Sequence, residues 1–557
     1  MFLLKRMAVI FLLCLVAIDI RSTVVDIKNQ SDFDGITQMI ESLIQSGESS
    51  IQINILPGTY FFSECHIFFE NLDCKDVSIS ITSNDAVIVS SGDDYSNGDE
   101  YTNDFDFRNS FIGCSIEDEK RRFVPIDVMG NVQKSCGPVK VLDTDSGLCS
   151  LPTDYRCSSN SEKHKAIYIL LSKWFTSSYY KVSEIKNGEI FFYANDLSYN
   201  TDYGDYNVNG DLFYSGDYPC FSVCNFDDMA EDIPIIADQH ISFVSSVDSI
   251  HECKTTRFLF FKNCNLKSLT LDGIEIYGNR DNNYFLIDCA NLQSECVDIS
   301  NCHFYGIRSR VARFLNCPNL SFCDNEIYHN YLDGLIVDGE SPNAIISRNK
   351  FHDNGLSAAN SFCVRCRSDK YIISNNIFVD YGYSGIGVGL SHYEKSGLKC
   401  SGIVEYNELC NSTLYDMKKN IRPMDSGAIY LYTQSDSIII RYNYLHDILG
   451  RKDNRGIFCD DGASGFSIYG NIITRIANSY CIDSRLVSSD RLVNKTLKTN
   501  VNNYIGENLI DGSVRFEYVS TISNCSSGKI YSFETLSDWP YRKLMKSYLQ
   551  EIQKGTK

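Results

Sequence analysis

Eight times between about Leu269 and Ile476 the chain repeats one phrase, as in CVDISNCHFYGI, AIISRNKFHDN, YIISNNIFVDY and IIIRYNYLHDI. Aligned on that phrase, one column reads Ile274, Cys302, Asn325, Asn349, Asn376, Asn407, Asn443 and Asn471. Neighbours in the column are 28, 23, 24, 27, 31, 36 and 28 residues apart, too irregular for most helical repeats. Apolar and polar residues alternate with period two before each Asn, which is strand patterning. Strand-rich units of this size, each closed by a polar residue at a fixed corner, predict the coils of a right-handed parallel β-helix. An Asn at that corner can bond backbone groups of the coils above and below, satisfying groups that the bend orphans. The predicted fold class is all-β: a single-stranded right-handed parallel β-helix with short capping helices and an inserted β-rich module.

A solenoid grows along one axis, so 557 residues fit one elongated body. The 35 Tyr and 32 Phe, against 10 Pro, favour strands over disorder. A net charge of −20 argues against nucleic acid or an anionic membrane as partner. Lys5 and Arg6, the apolar run from Met7 to Ile18, and the small residues near Ser22 read as a secretory signal. No later stretch is long enough to span a bilayer. The mature chain is therefore expected to be secreted or periplasmic, with no membrane span. Its oligomeric state is not legible.

Removing Cys14 from the 23 cysteines leaves 22, an even number that in an exported protein points to disulfides. Cys302, Cys323, Cys363, Cys459 and Cys481 nevertheless sit where coils stack small apolar side chains, and there they should pack as free thiols. The N-terminal half leaves room for a few pairs, Cys65 with Cys74 and Cys220 with Cys224. The CxxC at Cys363–Cys366 reads as structural, since no second pair or histidine set completes a zinc site.

The boundaries follow from these patterns: a signal over 1–22, a cap helix and first coils over 23–95, and a flanking or inserted β-rich module over 96–235. The main β-helix occupies 236–490, and C-terminal coils with a capping helix fill 491–557. Phe33, Ile36, Ile40 and Leu43 form a helical stripe capped by Ser31 or Asp32, suited to covering the open end of the solenoid. The first coil is read at 51–62. Leu544, Tyr548 and Ile552 mark a terminal amphipathic helix expected to cap the other end.

The repeat also serves as a ruler. Aligning Gly334, Gly385, Gly427, Gly456 and Tyr480 places Leu335, Ile386, Ala428, Ile457 and Cys481 in one inward column. Two positions on come Val337, Val388, Tyr430, Cys459 and Asp483. Successive coils lie about 4.8 Å apart, so Asp460 and Asp461 should stand near Leu431, Tyr432, Ser484 and Arg485. Crowded carboxylates flanked by tyrosines and a guanidinium are what glycoside hydrolysis needs: one acid, one nucleophile or base, and flat faces for a sugar. Asp-Asp-Gly is also an ordinary turn, and Asp483 with Arg485 is equally well read as a structural ion pair. Asp425 is the third catalytic candidate, beside the long break at 414–424, since long insertions at a solenoid corner commonly build a binding face. In straight strands it would lie roughly 20 Å from Asp460. His446 and Arg455 are candidate substrate contacts, although His446 belongs to the YLHD corner phrase, which favours a structural reading.

The stretch MDSGAIYLYTQSDSIIIRYNYLHD, followed by NRGIFCDDGASGFSIYGN, resembles the core of pectate-lyase-like β-helix proteins over roughly 260–490. It is most similar to a bacterial glycoside hydrolase family with fucosidase and xylanase members. That resemblance implies a catalytic Asp before the GAIY strand and another in the DDG turn, matching Asp425 and either Asp460 or Asp461.

The expected function is thus an exported glycoside hydrolase acting on a poly- or oligosaccharide. Two alternatives stand beside it. A polysaccharide lyase on the same fold would use the basic strip Arg365, Arg367 and Lys370. A noncatalytic carbohydrate-binding or adhesin-like surface solenoid would need neither set. No cofactor is expected, with calcium recruited by clustered carboxylates as the exception.

Overall fold

The computed structural model describes residues 22–62, 65–90, 257–279, 285–307, 310–328, 330, 333–355, 361–391, 400–411, 426–449, 454–460, 463–485, 501–516 and 523–555, with isolated strands between 132 and 243. The expected signal segment, apart from Ser22, lies outside them.

Three parallel faces wind around one core. A typical coil runs through Phe285–Gln293, Cys296–Ser300 and His303–Ile307. The next places Arg310–Leu315, Leu320–Cys323 and Glu326–Tyr328 on those three strands, each in parallel register. These are termed the first, second and third faces below. The long strands Leu259–Asp272 and Gly427–Arg441 run through a corner and join the first and second faces into one sheet. Inward positions are almost all Ile, Leu, Val, Phe and Cys, and form a continuous core from Ile27 to Ile510. Each such large aliphatic side chain stabilises the fold by about 1.5–3 kcal/mol through burial.

The Asn column is a ladder. In Asn325, Asn349, Asn376, Asn407, Asn443 and Asn471 the side-chain Nδ2 donates to the Oδ1 of the next member at 2.9–3.0 Å. Each Nδ2 also reaches a carbonyl of the preceding coil, such as Val404 O from Asn443 at 2.9 Å. The residue before each is left-handed, as at Asp324, Arg348, Asn375, Tyr406 and Tyr442, which turns the chain sharply enough to aim the amide inward. In the first such corner the position is Gly273, with φ +67°, where a Cβ would lie 2.3 Å from Ser83 O. A second ladder at the far end of the third face escaped the sequence reading: Asn330 Nδ2 donates to Asn354 Oδ1 at 2.9 Å. Asn411 in the same row bonds Tyr381 O at 2.9 Å.

Several expectations need correction. The N-terminal helix breaks at Gly35 into Gln30–Asp34 and Ile36–Gln45, and its cap is Asn29, whose Oδ1 accepts from Asp32 N. A strand, Ser22–Ile27, precedes it and pairs with Ser50–Ile55, so the coil at 51–62 is not the first. Cys65 and Cys74 are both free thiols. Cys224 and the Cys220 side chain lie outside the described residues. In the C-terminal stretch Val501–Gly506, Ser513–Phe516 and Ser523–Ser527 continue the stack, and Asn508 extends the ladder. The terminal helix, Lys546–Gly555, buries Leu549, and Met545 is buried just before it, while Leu544 is half exposed. These side chains pack with Trp539 on Tyr444, Ile472 and Leu509, outward residues of three successive coils, so this segment lies along the flank.

The parallel pairing of Asp73–Ser83 with Leu259–Asp272 carries the solenoid across the intervening module. The module's described strands form a nine-stranded antiparallel sheet, with a separate hairpin of Pro234–Ala237 and His240–Phe243.

Candidate functional site

Alternation along the first face assigns each side chain a side. In Gly427–Arg441, Ile429 and Leu431 enter the core while Tyr430 and Tyr432 point outward. In Arg455–Cys459, Ile457 and Cys459 are inward and Phe458 is outward. The observed register pairs Ile386 with Ile429, Ile429 with Ile457, and Ile457 with Ile482. The glycine ruler therefore slips by one residue in two coils: Gly427 stands opposite Arg455, and Cys481 gives up its expected inward column to Ile482. It also omits the coil at Phe362–Arg367, which lies between Leu335–Asp338 and Ser384–Ser391. A one-residue slip exchanges inward and outward side chains, which decides what meets on this face. Tyr430, Phe458 and Asp483 form one outward row, whereas the ruler set Tyr430 and Asp483 beside Cys459. Two residues further along, Asp460 follows in register between Tyr432 and Arg485, not between Leu431 and Ser484.

Asp460 is tied to this aromatic surface. Its Oδ2 accepts a 2.7 Å hydrogen bond from the Tyr430 hydroxyl. The Tyr430 ring lies 5.4 Å from Phe458, 5.6 Å from Tyr383 and 6.1 Å from Phe362, two coils away. Gly387 stands directly opposite Tyr430 in the coil between, and its lack of a side chain leaves room for that reach. Beyond Asp460, Ala463 N donates to Asp460 O at 2.9 Å. Asp425 and Asp461 lie outside the described residues.

Asp483 is a hub. Fully buried, it accepts from Arg455 Nε at 2.8 Å, Arg485 Nε at 3.2 Å and Arg515 Nε at 2.6 Å. Arg455 is itself buried, and its guanidinium sits 4.1 Å above the Phe458 ring, with that of Arg485 5.0 Å from the same ring. Asp483 and Arg455 are thus both sealed from solvent. His446 lies on the third face, away from this strip. Its Nδ1 is 2.7 Å from Asp447 Oδ2, its Nε2 is 3.3 Å from Glu408 Oε1, and its ring stacks on Tyr444 at 4.1 Å.

The basic strip is likewise engaged in structure. Arg365 Nε bonds Asp333 at 2.8 Å, and Arg367 grips Asp338 through two 2.6 Å bonds. Lys370 occupies a left-handed corner. Among the described residues no three His, Cys, Asp or Glu side chains gather closely enough to hold a metal ion. Phe362, Tyr383, Phe458 and Arg515 pack on or bond to these residues and went unnoticed in the sequence. The alternation already marked Phe458 once its register was known, whereas Arg515 lies in a coil without the repeated phrase.

A sequence profile of right-handed β-helix regions matches residues 252–397 and 294–496. The chain is a right-handed parallel β-helix protein. No curated protein matches it by sequence. Among solved structures, this β-helix is similar to a protein titled glycoside hydrolase, at 8% identity over 92% of this chain and 96% of that one, with a TM-score of 0.44. It is also similar to the catalytic domain of a GH87 alpha-1,3-glucanase in complex with nigerose, at 10% identity over 69% and 88% of the two chains, with a TM-score of 0.26. A third likeness is to the tailspike of Pseudomonas phage phi297, at 8% identity over 88% and 75%, with a TM-score of 0.24. These are likenesses of fold, and no activity follows from them.

Proposed function

We propose that this β-helix protein is an exported carbohydrate-active enzyme that hydrolyses a glycosidic bond on the outer surface of its first face. The observation that carries the reading is Asp460, an outward carboxylate bonded to the Tyr430 hydroxyl and set in register between Tyr432 and Arg485. Glycoside hydrolysis needs two carboxyl groups, one to protonate the leaving oxygen and one to attack or to activate water. Asp460 is one of them. The second comes from Asp425 or Asp461. Asp483 is unsuited, because it is fully buried and its oxygens are occupied by three guanidiniums. Tyr432, only partly buried, supplies aromatic surface for a sugar ring and is backed by the buried Tyr430. The lyase reading ranks below this one because Arg365 and Arg367 are spent on Asp333 and Asp338.

The test is a screen of neutral and acidic glycans with the purified protein beside Asp460→Asn, Asp425→Asn and Asp461→Asn. Hydrolysis releases reducing ends without new ultraviolet absorbance. Asp460→Asn and one of the other two should lose about 10²-fold or more. An ultraviolet-absorbing unsaturated product would establish a lyase instead. Retention of a glycan without turnover would establish a binding module. Full activity in Asp460→Asn would remove Asp460 from the mechanism.

A further inference from the structure

Asp460 and Asp483 are both outward carboxylates on neighbouring coils, and the structure treats them differently. Asp483 is saturated by three arginines and sealed from solvent. One of those arginines, Arg485, is fixed from three sides. Its Nε bonds Asp483, its guanidinium faces the Phe458 ring, and its main-chain N–H donates to Cys459 O at 3.0 Å. That last bond continues the parallel ladder and sets Arg485 opposite Asp460, one coil spacing of about 4.8 Å away. On the other side of Asp460, the preceding coil sends in the Tyr430 hydroxyl at 2.7 Å.

Resting on the proposed hydrolase reading, we infer that Asp460 is the permanently ionised member of the catalytic pair, the nucleophile or base, and that Arg485, braced by Asp483, is the positioning residue that keeps it so. A hydroxyl donated to a carboxylate and a guanidinium in the adjacent row both favour the charged form. The proton donor must then be the other carboxyl group. The hub explains why a buried Asp should hold three arginines: Asp483 freezes the Arg485 side chain, so its charge is delivered at a constant place. The brace and the reacting group are therefore separate carboxylates, and mutating them should give separable effects.

The experiment compares the pH dependence of kcat/KM for the wild-type protein, Tyr430→Phe, Arg485→Met and Arg485→Lys on whichever glycan the screen identifies. Loss of either support should move the acidic limb to higher pH by about one unit or more, with Arg485→Lys recovering most of the shift. A merely structural Arg485 would lower the melting temperature and leave the limb in place. An unmoved limb in both Tyr430→Phe and Arg485→Met, with Asp460→Asn inactive, would overturn this inference and leave the hydrolase reading standing. Fully active Asp460→Asn would overturn both. A second arm needs no substrate: a double-mutant cycle of Tyr430→Phe with Asp460→Asn, read in thermal stability. The two sites should couple at neutral pH, and the coupling should fade as pH falls through the carboxylate range. No coupling at neutral pH would refute the ionised pair.

Discussion

Asn443 holds Asn471 through two bonds to one oxygen: its Nδ2 and its main-chain N–H both donate to Asn471 Oδ1 at 2.9 Å. Every ladder member thus satisfies a backbone donor of the coil before it, a role no apolar side chain can fill. In Asn443→Ala, Asn407 N and Nδ2 lose their acceptor at a site with no access to water. The expected loss is about 2–4 kcal/mol, one to two unsatisfied buried groups, read as a lower urea midpoint. An unchanged midpoint would show that the ladder follows the fold without stabilising it.

His66 couples the N-terminal cap to pH. Its ring stacks on Phe33 at 3.9 Å and lies 5.9 Å from Phe258, and burial pushes its pKa down to about 4. Above about pH 6.5 the imidazole is neutral in both folded and unfolded chains, and there is no penalty. As pH falls from there towards 4 only the unfolded chain takes up the proton, so stability drops by roughly 3 kcal/mol across that window. His66→Phe should flatten the melting temperature over the same interval. Equal pH dependence in the variant and the wild type would exclude His66 as the source.

Asp483→Ala leaves Arg455 buried beside two further arginines without their common carboxylate. Breaking a buried ion pair from one side costs about 3–5 kcal/mol. Arg515→Met should cost less, since Arg515 is partly exposed. Thermal denaturation of the two variants checks the order, and a reversal would show that the hub is centred elsewhere.

The cysteines whose side chains are described are free, and most are buried. Burial pushes the Cys302 thiol up to about 12 and that of Cys459 well above its ordinary value. A thiol reagent applied to the native protein should therefore label exposed Cys296 rapidly, and Cys302 and Cys459 only after unfolding. Peptide mapping reads the result. Labelling of Cys459 in the native state would mean that the core opens at the candidate site.

Much of the fold was legible because its signals are local. Period-two alternation marks strands, and an Asn at each corner announces the bond that corner must make. Cys302, Cys363, Cys459 and Cys481 could be named as buried thiols for the same reason. The candidate site was legible only as a neighbourhood. Tyr430, Tyr432, Asp460 and Arg485 do gather on one surface, whereas His446 belongs to a corner cluster of the third face. The Asp483–Arg485 ion pair was foreseen as one of two readings, but its extension to Arg455 and Arg515 was not, since Arg515 lies beyond the recognisable repeats.

By itself the sequence determined a solenoid of parallel strands with an asparagine spine, because alternation and corner chemistry are properties of a single coil. Only the tertiary structure decided which residue stands above which. Connections between coils vary in length, so glycine spacing does not set register, and a slip of one residue turns a whole strand inside out. Hydrogen bonding between coils settled that choice. It placed Asp460 between Tyr432 and Arg485 and buried Asp483 beneath its three arginines.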